Sequence, residues 1–184
     1  MWLSLLPVRT GTPERPPGLY GAAFVDYVEG STLTYRELFL ARLVRDGAVP
    51  RVHVTDMWVD SEPSRDAGRS LWAVPKDLAE LHVLSRGIGP ARRVSCDANI
   101  NGSPIAAARF TAPRVPSLRT PMAFTISQER EDGSQVVTRV SGTSCNLPVL
   151  GRWAFGAAGP LAWLHGRRPM ASIVLSDFRM TFGG

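Results

Sequence analysis

The chain has 184 residues, 44% of them hydrophobic, and a formal net charge of +5 at pH 7. Its length and a mean hydropathy of −0.03 are typical of one globular domain, which we predict to span residues 1–184. The arginines are spread along the chain without a basic helix or a nucleic-acid-binding motif, so nucleic acid is not an expected partner.

Several other classes of protein are also excluded by the sequence. No apolar run approaches the roughly 20 residues that a membrane-spanning helix needs, and the first ten residues lack the pattern of a signal peptide. Cys96 and Cys145 match no metal or redox spacing, and His53, His82 and His165 share no ligand spacing. We therefore predict a cytoplasmic protein with no membrane partner, no metal and no cofactor.

The N-terminal part of the chain begins with a proline-rich segment, residues 1–18, which predicts an extended arm. Strands are predicted at Tyr20–Val28, Leu33–Val44 and Arg51–Asp60. The third strand carries Trp58 near its end. An aromatic side chain in this position either fills the core or lines a pocket.

Glu37 is an unusual residue in the second of these strands. The odd-numbered side chains of this segment share one face of a strand, and Glu37 is the only charged one among them. A buried carboxylate without a partner is costly, so Glu37 is paired, exposed or functional. The alternatives are that this face is solvated, or that the segment is a helix with Glu37 outside.

The stretch VDSEPSRDAGRSLWAVPKDL, residues 59–78, contains Lys76, the only lysine in the chain. A helix is predicted to begin near Pro63, capped by Asp60 or Ser61, and to stop at Gly68. An extended apolar segment then leads to Lys76. An amine can lose its proton and act as a base or nucleophile, whereas a guanidinium cannot. The alternative is that one lysine persists by chance among arginines.

The remainder of the chain predicts mainly hairpins. Asn101-Gly102 is a favoured two-residue turn between strands. The predicted elements are a short helix at Asp77–Leu84, hairpins of Arg93–Ile100 with Pro104–Thr111 and of Met122–Gln128 with Gln135–Val140, a helical turn at Pro160–His165, and a closing strand at Met170–Phe182. This order predicts a mainly antiparallel β protein with a few short helices.

The stretch around Lys76 resembles the signature of the acetoacetate decarboxylase superfamily. The residues that match at the family's spacing are Asp60, Glu62, Pro63, Gly68, Arg69, Pro75 and Lys76. The resemblance implies a curved antiparallel double sheet, closed like a barrel around a central pocket, and a homo-oligomer. It also implies that Lys76 forms a Schiff base with a small-molecule carbonyl substrate.

The same resemblance implies further site residues. A glutamate 39 residues before the lysine lies in the family's active site, and Glu37 stands at this distance from Lys76. Trp58, Trp72 and Val74 are candidate pocket walls. Arg69 is a candidate cation beside the amine, or else an ion-pair partner of a nearby acid such as Glu62 or Asp60.

Schiff-base chemistry needs a neutral amine, so the pKa of Lys76 is expected to fall from about 10.4 towards 7 through an apolar surrounding. Family decarboxylases have a second lysine where this chain has Asp77. They also have an N-terminal arginine, for which Arg9 and Arg15 are the only candidates here. We predict a Schiff-base-forming lyase, a decarboxylase or an aldolase-dehydratase of the kind used in secondary metabolism. The alternatives are a cyclase or isomerase without an imine, and a non-catalytic barrel that binds a small molecule.

Overall fold

The computed structural model describes residues 1–46, 49–87 and 90–183. Most of these residues lie in strands that form two sheets. The strands are β1 (Trp2–Val8), β2 (Gly18–Tyr27), β3 (Tyr35–Asp46), β4 (Val49–Val59), β5 (Lys76–Leu78), β6 (Glu80–Arg86), β7 (Ala91–Ile100), β8 (Ser103–Pro113), β9 (Arg119–Glu129), β10 (Gln135–Pro148), β11 (Leu150–Phe155) and β12 (Ala171–Phe182). The helical elements are α1 (Glu62–Trp72) and a 3₁₀ turn at Ala162–Leu164.

The larger sheet closes on itself as a barrel. Its strand order is β3-β2-β1-β12-β10-β9-β4, and the pairing of β4 with β3 completes the circle. The short strand β5 adds to β4 in parallel, and the second sheet has the order β11-β8-β7-β6. The predicted fold class, a mainly β protein with a closed barrel-like sheet and short helices, is confirmed.

Strand alternation divides the apolar side chains between two cores. One core lies between the barrel wall and the second sheet and contains Trp2, Phe24, Trp58 and Phe110. The other lies inside the barrel around Val54, Met57 and Ile126. Because successive side chains point to opposite faces of a strand, a single strand can contribute to both cores, as β4 does with Trp58 in the first and Met57 in the second. The site described below opens into the second core.

A buried glutamine holds the seam of the barrel at which β4 meets β9. The ladder there is short, with Val52 opposite Ile126 in parallel. The Gln128 side-chain amide accepts from the Val54 N–H at 2.9 Å and donates to the Val54 carbonyl at 3.0 Å. The side chain thus takes the place of a neighbouring strand's backbone. The Gln128 amide nitrogen also lies 3.5 Å from the carbonyl of Ala73, next to α1.

Three predictions of local structure are wrong. The first 18 residues are not an arm, because β1 pairs with both β2 and β12 inside the barrel. Asp77–Leu84 is not a helix, since it belongs to β5 and β6. Helix α1 does not stop at Gly68 but continues to Trp72. The two hairpins, the helical turn and the closing strand are confirmed.

No helix in the described part of the chain is long and apolar enough to cross a membrane.

Candidate active site

Helix α1 and the turn after it deliver Lys76 to the barrel. The helix begins at the Ser61 cap, whose side-chain oxygen accepts from the Ser64 N–H at 3.4 Å. It ends at Ala73, which adopts a left-handed conformation with φ of 52°. The chain then reverses, and Lys76 starts β5 directly opposite Met57 of β4. Lys76 and Met57 therefore share the inner face of the barrel.

Glu37 reaches the same place from β3. Phe39 lies opposite Met57 in the β3–β4 ladder, and Glu37 stands two residues before Phe39 on the same face. The Lys76 Nζ lies 3.0 Å from Glu37 Oε2. Lys76 is 5% exposed and Glu37 4%. The lone charged residue of the β3 face is thus buried and paired with the only lysine in the sequence.

Three hydroxyl groups surround this ion pair. Lys76 Nζ donates to Ser64 Oγ at 3.0 Å and lies 5.2 Å from the centre of the Tyr35 ring. The Tyr27 ring stacks on Tyr35 with centroids 4.4 Å apart. Sequence reasoning missed these residues. Tyr35 had a usable signal, since it lies two residues before Glu37 on the same strand face.

The ion pair sets the resting charge of the amine. Burial is the largest single influence on Lys76 and lowers its pKa, but the negative charge of Glu37, with further contributions from Tyr35, raises that pKa by more. The net pKa of Lys76 is raised, so the expected fall towards neutrality does not occur. An apolar wall alone does not determine the pKa of an amine that lies in contact with a carboxylate.

The tyrosines keep their protons. Burial raises the pKa of both Tyr27 and Tyr35, and the charge of Glu37 raises them further. Both phenols are therefore neutral at ordinary pH and able to donate hydrogen bonds. The site thus combines one buried cation, one buried carboxylate and neutral hydroxyl donors.

A cavity of about 620 Å³ opens onto this cluster and is called the Lys76 pocket. Its wall includes Lys76, Glu37 and two of the predicted wall residues, Trp72 and Val74. Trp58 does not line it. Trp58 neighbours Met57 in β4 and so points to the opposite face, into the core between the sheets. The core alternative for Trp58 is the correct one, and its assignment to the pocket is wrong.

Arg69 does not line the Lys76 pocket either. Its Nε donates to the Lys76 carbonyl oxygen at 2.5 Å, and its Nη2 lies 2.9 Å from Asp77 Oδ1. Arg69 thus binds the backbone of β5 at the lysine, and its acidic partner is Asp77 rather than Glu62 or Asp60. Its contribution is to the position of Lys76 and not to the pocket wall.

The two N-terminal arginines lie away from the amine. Arg15 makes two short hydrogen bonds to the Asp56 carboxylate, at 2.6 and 2.5 Å, and Arg9 is exposed. Neither lines the Lys76 pocket. Neither Arg9 nor Arg15 is therefore a counterpart of the N-terminal arginine of the family decarboxylases.

Gly68 makes room for the lysine side chain. A Cβ at Gly68 would lie 2.5 Å from Lys76 Cδ and 2.8 Å from Cε. Gly68 and Ser64 are four residues apart in α1 and so share one helix face, which lies against Lys76. The glycine is needed for this contact and not as a helix stop.

Replacing Gly68 with alanine is therefore expected to slow adduct formation at Lys76. The added methyl group displaces the amine from Glu37, and a misplacement of about 1 Å can cost about 100-fold in rate. Ser70→Ala, on an exposed position of the same helix, is the matched control and should leave the rate unchanged. The measurement is the rate of borohydride-trapped adduct formation. A Gly68→Ala protein that reacts as fast as the native protein would contradict this role.

The family model for acetoacetate decarboxylase matches residues 9–171. No curated protein sequence matches the chain. Among solved structures, the chain is similar to the enduracididine biosynthesis enzyme MppR with HEPES bound (16% identity, 100% of this chain and 83% of the other, TM-score 0.67).

Two further structures are similar over most of their length. One is an acetoacetate decarboxylase-like enzyme from Sphingomonas wittichii RW1 (13% identity, 98% and 86% coverage, TM-score 0.65). The other is an acetoacetate decarboxylase (16% identity, 98% and 82% coverage, TM-score 0.60). MppR is also known in complex with the condensation product of pyruvate and imidazole 4-carboxaldehyde (15% identity, 97% and 86% coverage, TM-score 0.59). At these identities the similarity shows the fold.

Proposed function

Because the chain belongs to the acetoacetate decarboxylase family, we propose that it is a lyase in which Lys76 forms a Schiff base with a keto acid or a related carbonyl compound. The observation that carries this proposal is the buried pair of Lys76 and Glu37, 3.0 Å apart, on the wall of a cavity of about 620 Å³. A nucleophile, a proton acceptor and space for a substrate occur together.

Glu37 supplies the base that the amine needs. The pKa of Lys76 is raised, so the resting amine is an ammonium group. As a carbonyl carbon approaches Nζ, one ammonium proton passes to the Glu37 carboxylate and the nitrogen lone pair forms the new C–N bond. The π electrons of the C=O bond move to the oxygen, which takes a second proton from the nitrogen to give a carbinolamine. The proximity of the carboxylate makes this transfer possible without a low resting pKa.

The carbinolamine then loses water. Glu37 returns its proton to the departing hydroxyl, the C–O bond breaks, and the nitrogen lone pair forms the C=N bond of the iminium ion. The neutral hydroxyls of Tyr35 and Ser64 lie around the nitrogen and can orient the departing oxygen. The iminium ion withdraws electrons from the neighbouring carbon and so allows a C–C bond there to break or form.

The outcome at that carbon depends on the substrate. A β-keto acid loses CO₂, the bond electrons enter the iminium as an enamine, and a proton then completes the product. An α-keto acid instead loses a proton to give an enamine that adds to an aldehyde. Neither Arg9 nor Arg15 lies in the pocket, but Arg179 of β12 lines it and can face a substrate carboxylate. An α-keto acid and a β-keto acid both carry that carboxylate, so Arg179 serves either reaction, and the products distinguish decarboxylation from condensation.

A second candidate is supported by the raised pKa of Lys76. An ammonium group beside a carboxylate can polarise a carbonyl oxygen while Glu37 moves a proton, which is the chemistry of an isomerase or cyclase. In this function Lys76 makes no covalent bond. Arginine at residue 76 would retain the charge and part of this activity.

Product analysis distinguishes decarboxylation of the Schiff base from condensation with an aldehyde. The protein is incubated with acetoacetate alone, and with pyruvate plus an aromatic aldehyde, and the CO₂ and condensation products are measured. We expect either CO₂ or a condensation product, and the Lys76→Arg protein should make neither. Isomerisation of the carbonyl probes, retained after that substitution, would favour the second candidate.

A further inference from the structure

A second cavity continues from the Lys76 pocket into the barrel and is called the inner chamber. It has a volume of about 380 Å³, which lies within the range of small-molecule sites. Glu37, Met57 and Phe182 line both cavities, so the two spaces adjoin at the active site. Its wall beyond the active site includes Leu5, Phe39, Ala41, Leu43, Val52 and Phe124.

The wall of the inner chamber is apolar apart from its entrance. Within the described residues, Glu37 is the only charged side chain that lines it, and Tyr27 is the only other polar one. Both belong to the ion-pair cluster. Moving away from Lys76, a ligand therefore passes from a polar site into an aliphatic and aromatic lining.

The chamber extends along one face of β3. Glu37, Phe39, Ala41 and Leu43 all line it, and the seven strand residues from Glu37 to Leu43 span roughly 20 Å. Ala41 lies directly opposite Gly21 of β2, and its small side chain leaves room in the chamber that a larger one would fill. The place beside Gly21 is taken by Leu3, whose Cδ1 would lie 3.2 Å from a Cβ there.

Unfilled apolar space destabilises a fold, and a dry apolar cavity binds apolar ligands. We infer that the substrate carries an unbranched aliphatic tail, which lies in the inner chamber while its carbonyl carbon lies at Lys76. The position of the carbonyl rests on the proposed Schiff-base function. The position of the tail rests on the chamber alone, so the two can be tested separately.

The test uses butanol, hexanol and octanol, which have the tail but no carbonyl group and so form no imine. Their affinity for the folded protein, measured by calorimetry, should rise about fourfold per methylene, which corresponds to about 0.8 kcal/mol. The Lys76→Arg protein should show the same dependence on chain length. Affinity that does not change with chain length would overturn the inference.

Ala41→Phe fills the chamber without touching the lysine. It should remove the increase in affinity that the native protein shows for the longer alcohols. Ala123→Phe, the same change on an exposed position of β9, is the matched control and should retain that gain. If Ala41→Phe does not fold, Val52→Phe blocks the same end of the chamber. Equal octanol binding by the native and the blocked folded proteins would overturn the inference.

Methyl ketones of matching length, trapped with borohydride, complete the experiment. We expect the yield of adduct at low ketone concentration to rise with tail length in the native protein and not in the Ala41→Phe protein. Alcohol binding that depends on chain length, without any ketone adduct, would support the chamber and contradict the proposed Schiff base.

Discussion

Replacing Lys76 with arginine is expected to abolish covalent adduct formation and to lower lyase turnover by on the order of 10⁴-fold or more, as removal of a covalent nucleophile does elsewhere. A guanidinium group stays protonated and cannot attack a carbonyl. Arginine keeps a cation opposite Glu37, so the buried carboxylate remains paired. Lys76→Met would instead leave Glu37 unpaired and destabilise the fold by about 3–5 kcal/mol.

The matched control moves the single lysine elsewhere. The double variant Lys76→Arg, Arg86→Lys has one lysine, on an exposed position of the second sheet. It should be as inactive as Lys76→Arg alone, because an exposed amine lacks Glu37 and the pocket. Circular dichroism and the melting temperature establish that each variant is folded. Turnover that survives in folded Lys76→Arg would contradict the Schiff-base proposal.

Replacing Glu37 with glutamine is expected to lower turnover by about 10²–10⁴-fold, the usual loss when a general acid–base group is removed. The same change should lower the pKa of Lys76. In the native protein burial is the largest single influence and lowers this pKa, while Glu37 and Tyr35 together raise it by more. Without that charge burial dominates, so the amine loses its proton at a lower pH than in the native protein.

The titration can be followed directly. Because Lys76 is the only lysine, protein made with lysine carrying carbon-13 at Cε gives one NMR signal for this residue. Its midpoint should move to lower pH in Glu37→Gln, while turnover falls. Glu129→Gln, at an exposed site, should change neither. A midpoint that stays in place or moves to higher pH in Glu37→Gln would contradict the role given to the ion pair.

The central residues were predictable because their signals are local. One lysine among 20 arginines, a proline before it, and a single carboxylate on an apolar strand face are visible without a structure. The pairing of Lys76 with Glu37 follows from two adjacent registers, Phe39 with Met57 and Met57 with Lys76.

The charge state of Lys76 was not predictable from the neighbouring sequence. It depends on whether the apolar wall or the carboxylate has the stronger effect on the pKa of Lys76, and therefore on the 3.0 Å distance between Lys76 Nζ and Glu37 Oε2, which belong to different strands. Ser64 and Tyr27 were missed for the same reason. Each approaches the amine only through packing between elements that are distant in the sequence.

The incorrect predictions for β1 and Trp58 also have physical causes. In β1, Trp2 and Leu6 face the second sheet while Leu3 and Leu5 face the inner chamber. A strand that is apolar on both faces lacks the alternation of apolar and polar residues that identifies a strand, and the prolines of this segment suggested an extended arm. The assignment of Trp58 to the pocket, in contrast, could have been avoided. Met57 and Trp58 are adjacent in one strand and cannot both face Lys76.

The most direct test of the Schiff-base proposal is the intact mass of the native protein after borohydride reduction with acetoacetate, pyruvate and a series of methyl ketones. Peptide mapping separates an adduct at Lys76 from one at the α-amino group. We predict a reduced adduct of the mass expected for one carbonyl compound, located at Lys76 and absent from the Lys76→Arg protein. A native protein that turns these compounds over while its mass stays unchanged would contradict the proposal.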